Sequence, residues 1–261
     1  MKHKVALIKL GGSVITFKDK PLSPNLKAIN NISHVLASLE TPLIIIHGGG
    51  SFGHYWSVKY DMHSKPCNYN LHGISIVHES MIALNQMVVG SMIKKRMNPY
   101  GIMPSIITSG IKPIQKKIKE LQTIAEGGIT PVTFGDIIHI DKMRYSIISG
   151  DVLMTIFAKI LRPSKVIFAL NVDGLYKDLD SKEIISEISN VNKEVDFSNK
   201  SLIRDVTGGM RRKVQEAFKI SATGMDVVMV NGLKPDRIIS VIDGASFEGT
   251  IIKGRSRGKE K

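Results

Sequence analysis

The side chains most able to do chemistry in this chain stand beside glycines. Lys9 precedes Gly11-Gly12-Ser13, and His54 closes the string His47-Gly48-Gly49-Gly50-Ser51-Phe52-Gly53-His54. Asp151 follows Ser149-Gly150, Asp173 precedes Gly174, and Lys213 comes shortly after Gly208-Gly209. Consecutive glycines carry no Cβ, so their amides can approach an anion closely and adopt positive φ without strain. An oxyanion is the natural occupant of such a turn, and an imidazole a few residues downstream could donate a hydrogen bond to it. The combination suggests a phosphate or acyl-phosphate site. Taken alone, the same residues also suit a plain loop with a solvated histidine.

The charged residues add to this pattern. Lys9 interrupts an apolar strand, so its ammonium needs a partner unless the strand lies at a sheet edge. Asp151 opens a helix over 152–161, where it is either a cap or a carboxylate placed to hold two lysines across a site. Lys213 lies early in a helix opened by Gly208-Gly209. A lysine there opposes the helix dipole, whereas a bound phosphate is favoured by it. Lys18 sits in a polar loop and reads as a surface lysine, and 171–178 reads as a β-turn.

Elements that could position these residues follow from periodicity. Val5–Leu10 is a strand, Ser23-Pro24 an N-cap and first helical residue, and Leu26, Ile29, Ile32, Val35, Leu36 and Leu39 repeat at helical spacing before a buried strand at 43–46. A right-handed crossover in that unit places both glycine turns on the carboxyl edge of one parallel sheet. Residues 72–97 form a long helix whose apolar face packs in the core or walls a pocket. A short strand is expected at 104–108, a flap or amphipathic helix at 112–122, and a hairpin from 129–134 to 137–140 around Gly135-Asp136. Strands follow at 165–170, 226–230 and 249–253, with a charged excursion over 178–204.

Composition narrows the classes. The chain has 261 residues, 43% hydrophobic and 23% charged, which suits a single α/β domain. The lone Cys67 excludes an intramolecular disulfide and a thiolate zinc cluster, and the histidines show no close metal-ligand pairing. The net charge of +13 is scattered without an aromatic-interleaved basic stripe, which favours anionic ligands over nucleic acid. No apolar run approaches the roughly 18 residues of a membrane span, and the apolar stretch after the basic N-terminus is too short for a signal peptide. A cytoplasmic protein with no membrane partner is expected, with a frayed tail at 254–261.

In order and spacing, these motifs resemble those of the amino acid kinase superfamily and, within it, the isopentenyl phosphate kinases. The matching strings are Lys9-Leu10-Gly11-Gly12-Ser13-Val14-Ile15-Thr16 with Lys18, His47 to His54, Ser149-Gly150-Asp151, Asn171-Val172-Asp173-Gly174-Leu175-Tyr176, and Asp205-Val206-Thr207-Gly208-Gly209-Met210 with Lys213. His54 carries the narrower resemblance, since kinases of this superfamily that act on carboxylates lack a histidine there. The string Gly50 to His54 is also similar to that of fosfomycin kinases. Tyr55-Trp56, and Arg211-Arg212 where relatives often have glycine, depart from the pattern.

The resemblance implies a three-layer αβα sandwich around a largely parallel sheet, with an acceptor-binding part over about 1–160 and a nucleotide-binding part over about 161–253. It implies ATP with Mg²⁺ carried by the nucleotide, isopentenyl phosphate as acceptor, and a homodimer. Lys9, Lys18, His54, Asp151 and Lys213 would be the catalytic set: Lys9 and Lys213 on the phosphates, Asp151 orienting them, Lys18 on the transition state. Gly11, Gly12, Ser13, Gly50, Asp173, Gly174, Tyr176 and Gly208 would border ATP. Gly49, Gly50, Gly53, His54 and Gly150 would hold the acceptor phosphate, with Ile76, Val77 and Met81 against its apolar tail. Two other readings remain: a kinase of another small phosphate or phosphonate such as fosfomycin, and an inactive nucleotide-binding regulator.

Overall fold

The computed structural model describes residues 4–17, 19–63, 65–177, 183–189 and 208–255. In chain order these form β1 (Ala6–Leu10), α1 (Gly12–Ile15), α2 (Leu26–Ala37), β2 (Leu43–His47), α3 (Gly50–Lys59), α4 (Leu71–Lys94) and β3 (Pro99–Ile102). Next come α5 (Pro104–Ile107), β4 (Thr108–Ser109), β5 (Lys112–Pro113), α6 (Gln115–Glu126), β6 (Thr130–Phe134), β7 (Asp136–Asp141) and β8 (Arg144–Ile148). The chain continues with α7 (Gly150–Leu161), β9 (Lys165–Leu170), β10 (Glu187–Ile188), α8 (Gly208–Ser221), β11 (Val227–Asn231), α9 (Asp236–Asp243) and β12 (Thr250–Ile252).

An eight-stranded sheet runs β10-β12-β11-β9-β1-β2-β6-β3, parallel throughout except where β12 meets β11. β1 and β2 are buried along their whole length, as central parallel strands covered on both faces must be. Their alternating side chains feed two cores. Leu7, Ile44 and Ile46 point to a layer with residues of α6, α7 and α8, and Ile8, Leu10 and Ile45 to one with residues of α2, α4 and α9. Three layers result, as expected. The same alternation turns Lys9, two residues after Leu7, toward α7.

Several local expectations change. α2 is capped by Asn25, whose side chain accepts from the Ala28 amide at 3.1 Å, while Pro24 bridges antiparallel to Thr16. The expected strand at 104–108 is mostly helix α5, because Pro104 presets the first helical φ; strand β3 comes just before it. The expected hairpin around Gly135 does not form. β6 joins the main sheet beside β2, and β7 turns away to pair with β8. Within the expected excursion, 178–182 and 190–204 lie outside the described residues, and β10 adds an edge strand.

α4 has the length and mean hydropathy of a membrane-crossing helix, against the expectation that no segment would. Its buried residues Met81, Leu84, Val88 and Met92 join the core shared with α2, while Val77 joins a smaller cluster.

Candidate active site

Both glycine turns leave the carboxyl edge of the sheet and meet there. Gly11 N–H donates to the Ala169 carbonyl at 2.9 Å, and Gly48 N–H to the Leu10 carbonyl at 3.0 Å, which ties the exits of β1, β2 and β9 together. A Cβ on Gly12 would overlap the Gly50 amide. Gly50 has φ +48°, and a Cβ there would overlap Thr16 Oγ1, so only glycine fits. Thr16 Oγ1 donates to the Gly12 carbonyl at 2.8 Å and accepts from the Ser51 amide at 2.9 Å, locking α1 to α3. The sequence reading assigned Thr16 no such role; its only signal was its place at the end of the Lys9 motif.

Asp151 lies behind this contact, in the first turn of α7, and is almost fully buried. Lys9 Nζ pairs with Asp151 Oδ1 at 2.6 Å, also out of water. The edge-strand explanation for Lys9 fails, since β1 lies between β2 and β9. On the other side, Arg212 Nε and Lys213 Nζ stand 3.6 and 3.7 Å from Asp151 Oδ2. Burial pushes the Asp151 carboxyl up, but Lys9, then Lys213 and Arg212, outweigh it and hold it below the usual carboxylate range. One carboxylate thus gathers three cations from β1 and α8. Lys213 lies in the second turn of α8 and also donates to the Gly209 carbonyl at 3.2 Å.

The two histidines bounding the glycine run differ. His47 is fully buried, stacked on Phe134, with Nδ1 donating to the Gly48 carbonyl at 3.1 Å and Nε2 lying 3.2 Å from the Asn85 amide oxygen. Burial lowers its pKa to about 4, so it is a neutral prop. His54 is exposed and sits in α3, because the helix begins already at Gly50; it does not lie in a turn. Gly53 N–H donates to the Gly49 carbonyl at 3.1 Å, so its amide is engaged within the helix. Its contribution is space: a Cβ on Gly49 or Gly53 would lie 2.9 or 3.2 Å from Met81 Sδ. A Cβ on Gly150 would meet the His47 carbonyl at 2.8 Å and Lys9 Cε at 3.3 Å.

Met81 and Val77 are buried one turn apart on α4, and Ile76 is half-buried. Val77 clusters with Met62 and Ile137, bordered by Trp56, Tyr60 and Tyr69 among others. An apolar group therefore adjoins the glycine turns. Next to it, His78 Nδ1 pairs with the buried Asp136 Oδ2 at 2.6 Å, a pair the sequence reading missed because it placed Asp136 in a hairpin turn.

On the β9 side, Ser13 Oγ donates to Asn171 Oδ1 at 3.0 Å. Asp173 accepts from Asn231 at 3.1 Å, from Lys234 at 2.9 Å and from Arg237, which also pairs with Glu248. Lys234, with Asn231 and Arg237, lowers the Asp173 pKa to about 2 against a smaller effect of burial. The Tyr176 hydroxyl accepts from the Asp173 amide at 3.4 Å, and Gly174 packs where a Cβ would lie 2.8 Å from Thr250 Oγ1. Gly208 opens α8. Lys18 and 205–207 lie outside the described residues.

Cations, amides and a helix start make up a donor set that suits a polyanionic phosphate. Among the described residues no group of three or more His, Cys, Asp or Glu side chains gathers to hold a metal ion.

The fold is that of a phosphoryl-transfer family, and the chain belongs to it: residues 4–231 match the profile of the amino acid kinase family. Within that family, the chain is 32% identical over 250 residues to the isopentenyl phosphate kinase of Thermoplasma acidophilum, spanning 95% of this chain and 99% of the relative. It is 30% identical over 264 residues to that of Methanocaldococcus jannaschii, spanning 95% and 98%. A crystal structure of the T. acidophilum isopentenyl phosphate kinase product complex superposes with a TM-score of 0.79 at 30% identity, covering 95% of this chain and all of the other.

Proposed function

We propose that the protein transfers the γ-phosphoryl group of ATP to the phosphate of isopentenyl phosphate, giving isopentenyl diphosphate and ADP. The observation that carries this reading is the buried Lys9–Asp151 pair, flanked by Arg212 and Lys213, behind the contact of two glycine turns. A phosphate oxygen of the acceptor attacks the γ-phosphorus, and the bond from that phosphorus to the β,γ-bridging oxygen breaks as ADP leaves. The attacking oxygen is already anionic near neutrality, so the protein's task is to position two polyanions and stabilise charge. Lys9 and Lys213 hold the ATP phosphates and Asp151 fixes both ammonium groups. His54 binds the acceptor phosphate, and Lys18 stabilises the transferring group. Bound Mg²⁺ would add charge neutralisation on the nucleotide phosphates.

The acceptor lies on the α3–α4 side, built from residues up to about 160, and its tail runs toward Val77 and Met81. The nucleotide lies on the side built from about 161 onward. The acceptor's identity rests on the similarity to isopentenyl phosphate kinases together with His54 and the apolar cluster beside it.

The test is an assay of the purified chain with Mg-ATP against isopentenyl phosphate, dimethylallyl phosphate, fosfomycin and acetylglutamate, following ADP release and product. Turnover on isopentenyl phosphate supports the proposal. Activity confined to fosfomycin overturns the acceptor, and ATP binding without any turnover leaves a regulator. Replacing His54→Gln should weaken acceptor use by roughly 10- to 100-fold with the fold intact, as expected for a hydrogen bond to a charged group. Lys18→Met should lower turnover more than ATP affinity. Sedimentation of the same preparation reads out the homodimer.

A further inference from the structure

The cations around Asp151 outnumber the charge they surround. One carboxylate is met by Lys9, Arg212 and Lys213, so the centre carries two positive charges in excess. Lys9 occupies Oδ1 at 2.6 Å, and Lys213 also donates to the Gly209 carbonyl. Arg212 is placed differently. Its Nε is enclosed and makes no hydrogen bond among the described residues, although 41% of the side chain reaches solvent. At 3.6 Å, the Asp151 oxygen attracts Nε but lies beyond hydrogen-bond range. A buried N–H donor without an acceptor is unfavourable and rare in folded proteins, so this placement calls for an explanation.

The surroundings of Nε point to an anionic oxygen. It shares Asp151 Oδ2 with Lys213, it belongs to the helix opened by Gly208-Gly209, and the Lys9 ammonium holds the far side of the same carboxylate. A guanidinium also presents several N–H donors in a fixed fork that suits phosphate oxygens, which an ammonium does not. Resting on the kinase reading above, we propose that Arg212 is a further cationic ligand of the phosphoryl group being transferred, acting beside Lys9, Lys18 and Lys213. Arg212 makes and breaks no covalent bond. It balances the charge that spreads over the phosphoryl oxygens as the bond to ADP lengthens.

The test compares the wild-type chain, Arg212→Gln and Arg212→Lys with Mg-ATP and isopentenyl phosphate. In Arg212→Gln, kcat should fall by roughly 30- to 300-fold, below the full effect of an arginine finger because three lysines remain. The KM for ATP, ADP binding and the melting temperature should stay close to wild type. Inhibition by ADP with aluminium fluoride, a mimic of the transferring group, should weaken in parallel with kcat. Arg212→Lys should recover only part of the rate. An unchanged kcat in Arg212→Gln, or a loss of melting temperature and ADP binding together, would overturn the proposal and leave Arg212 as a screen for Asp151. A wild-type chain that binds ATP but turns over no acceptor would instead remove the kinase reading, and the proposal with it.

Discussion

Two aspartates at the carboxyl edge of the sheet are buried almost equally, and the protein treats them in opposite ways. Asp151 and Asp136 are 2% and 3% exposed, and the glycines that precede them touch, since a Cβ on Gly135 would lie 2.8 Å from the Gly150 amide. Asp151 meets two lysines and an arginine, and its carboxyl is held below the usual range. Asp136 accepts from the Ile137 amide at 2.8 Å and pairs with His78. Burial outweighs those interactions and raises its pKa, while the bond to Asp136 raises that of His78. Burial alone therefore does not decide how a carboxylate titrates; the kind of partner does. Permanent cations stand behind the meeting of the two glycine turns, and a titratable pair stands beside the apolar cluster on α4.

Breaking the Asp151 side should have the largest effect. Lys9→Met removes the 2.6 Å partner of a buried carboxylate and should cost on the order of 3–5 kcal/mol, read by denaturant unfolding, with turnover abolished. Asp151→Asn should also abolish turnover, and added ATP should raise its melting temperature, because the uncompensated cations then meet only phosphate. A Lys9→Met chain as stable as wild type would show that the two aspartates are not differently held.

The His78–Asp136 pair should give a smaller, pH-dependent effect. A histidine whose pKa is raised on folding adds stability in full below its unfolded value of about 6.5 and loses it as pH rises through the folded value. Asp136, also raised, likewise favours the folded state less as pH rises. The melting temperature of wild type should exceed that of His78→Gln by roughly 2–4 °C at pH 6, and the gap should narrow by pH 9. The KM for the acceptor should rise in His78→Gln while that for ATP holds. A gap independent of pH would make the pair a neutral hydrogen bond.

The smallest effect belongs to Asp173, a partly exposed carboxylate held by the exposed Lys234 and the largely buried Arg237. Its lowered pKa, about 2, adds stability above its unfolded value that is lost as pH falls from about 4 through 2. Asp173→Asn should cost about 1 kcal/mol or less at neutral pH, with loss of the Arg237 tether measured as a weaker response to low pH.

Much of the frame could be read from local pattern. The apolar runs of β1, β2, β9 and β11 read as strands, and in the β1–α2–β2 unit the handedness of the crossover carries both glycine turns to one edge of a parallel sheet. Lys9 was legible as a charge needing a partner and Asp151 as a carboxylate able to hold lysines, but their joint role came from the family resemblance and not from either run of residues. β6 and β7 were not legible, because a glycine between two apolar runs looks the same whether the runs pair with each other or part company. What separates them is the Gly135 amide donating to the His47 carbonyl at 3.1 Å, a contact from another part of the chain. The strand expected at 104–108 failed for a local reason, the proline that starts α5, and His54 proved helical because α3 begins within the glycine run.

By itself the sequence determined the order of elements, the glycine turns and the charged residues beside them, since periodicity, missing Cβ atoms and lone charges in apolar runs are properties of neighbours in the chain. Only the tertiary structure decided which charges meet. Arg212 at Asp151, His78 at Asp136 and Thr16 at Ser51 are separated by between 35 and 61 residues, and no local pattern encodes a contact at that distance. Those contacts depend on how helices settle on a twisted sheet, where packing sets the geometry that decides which oxygen each cation reaches.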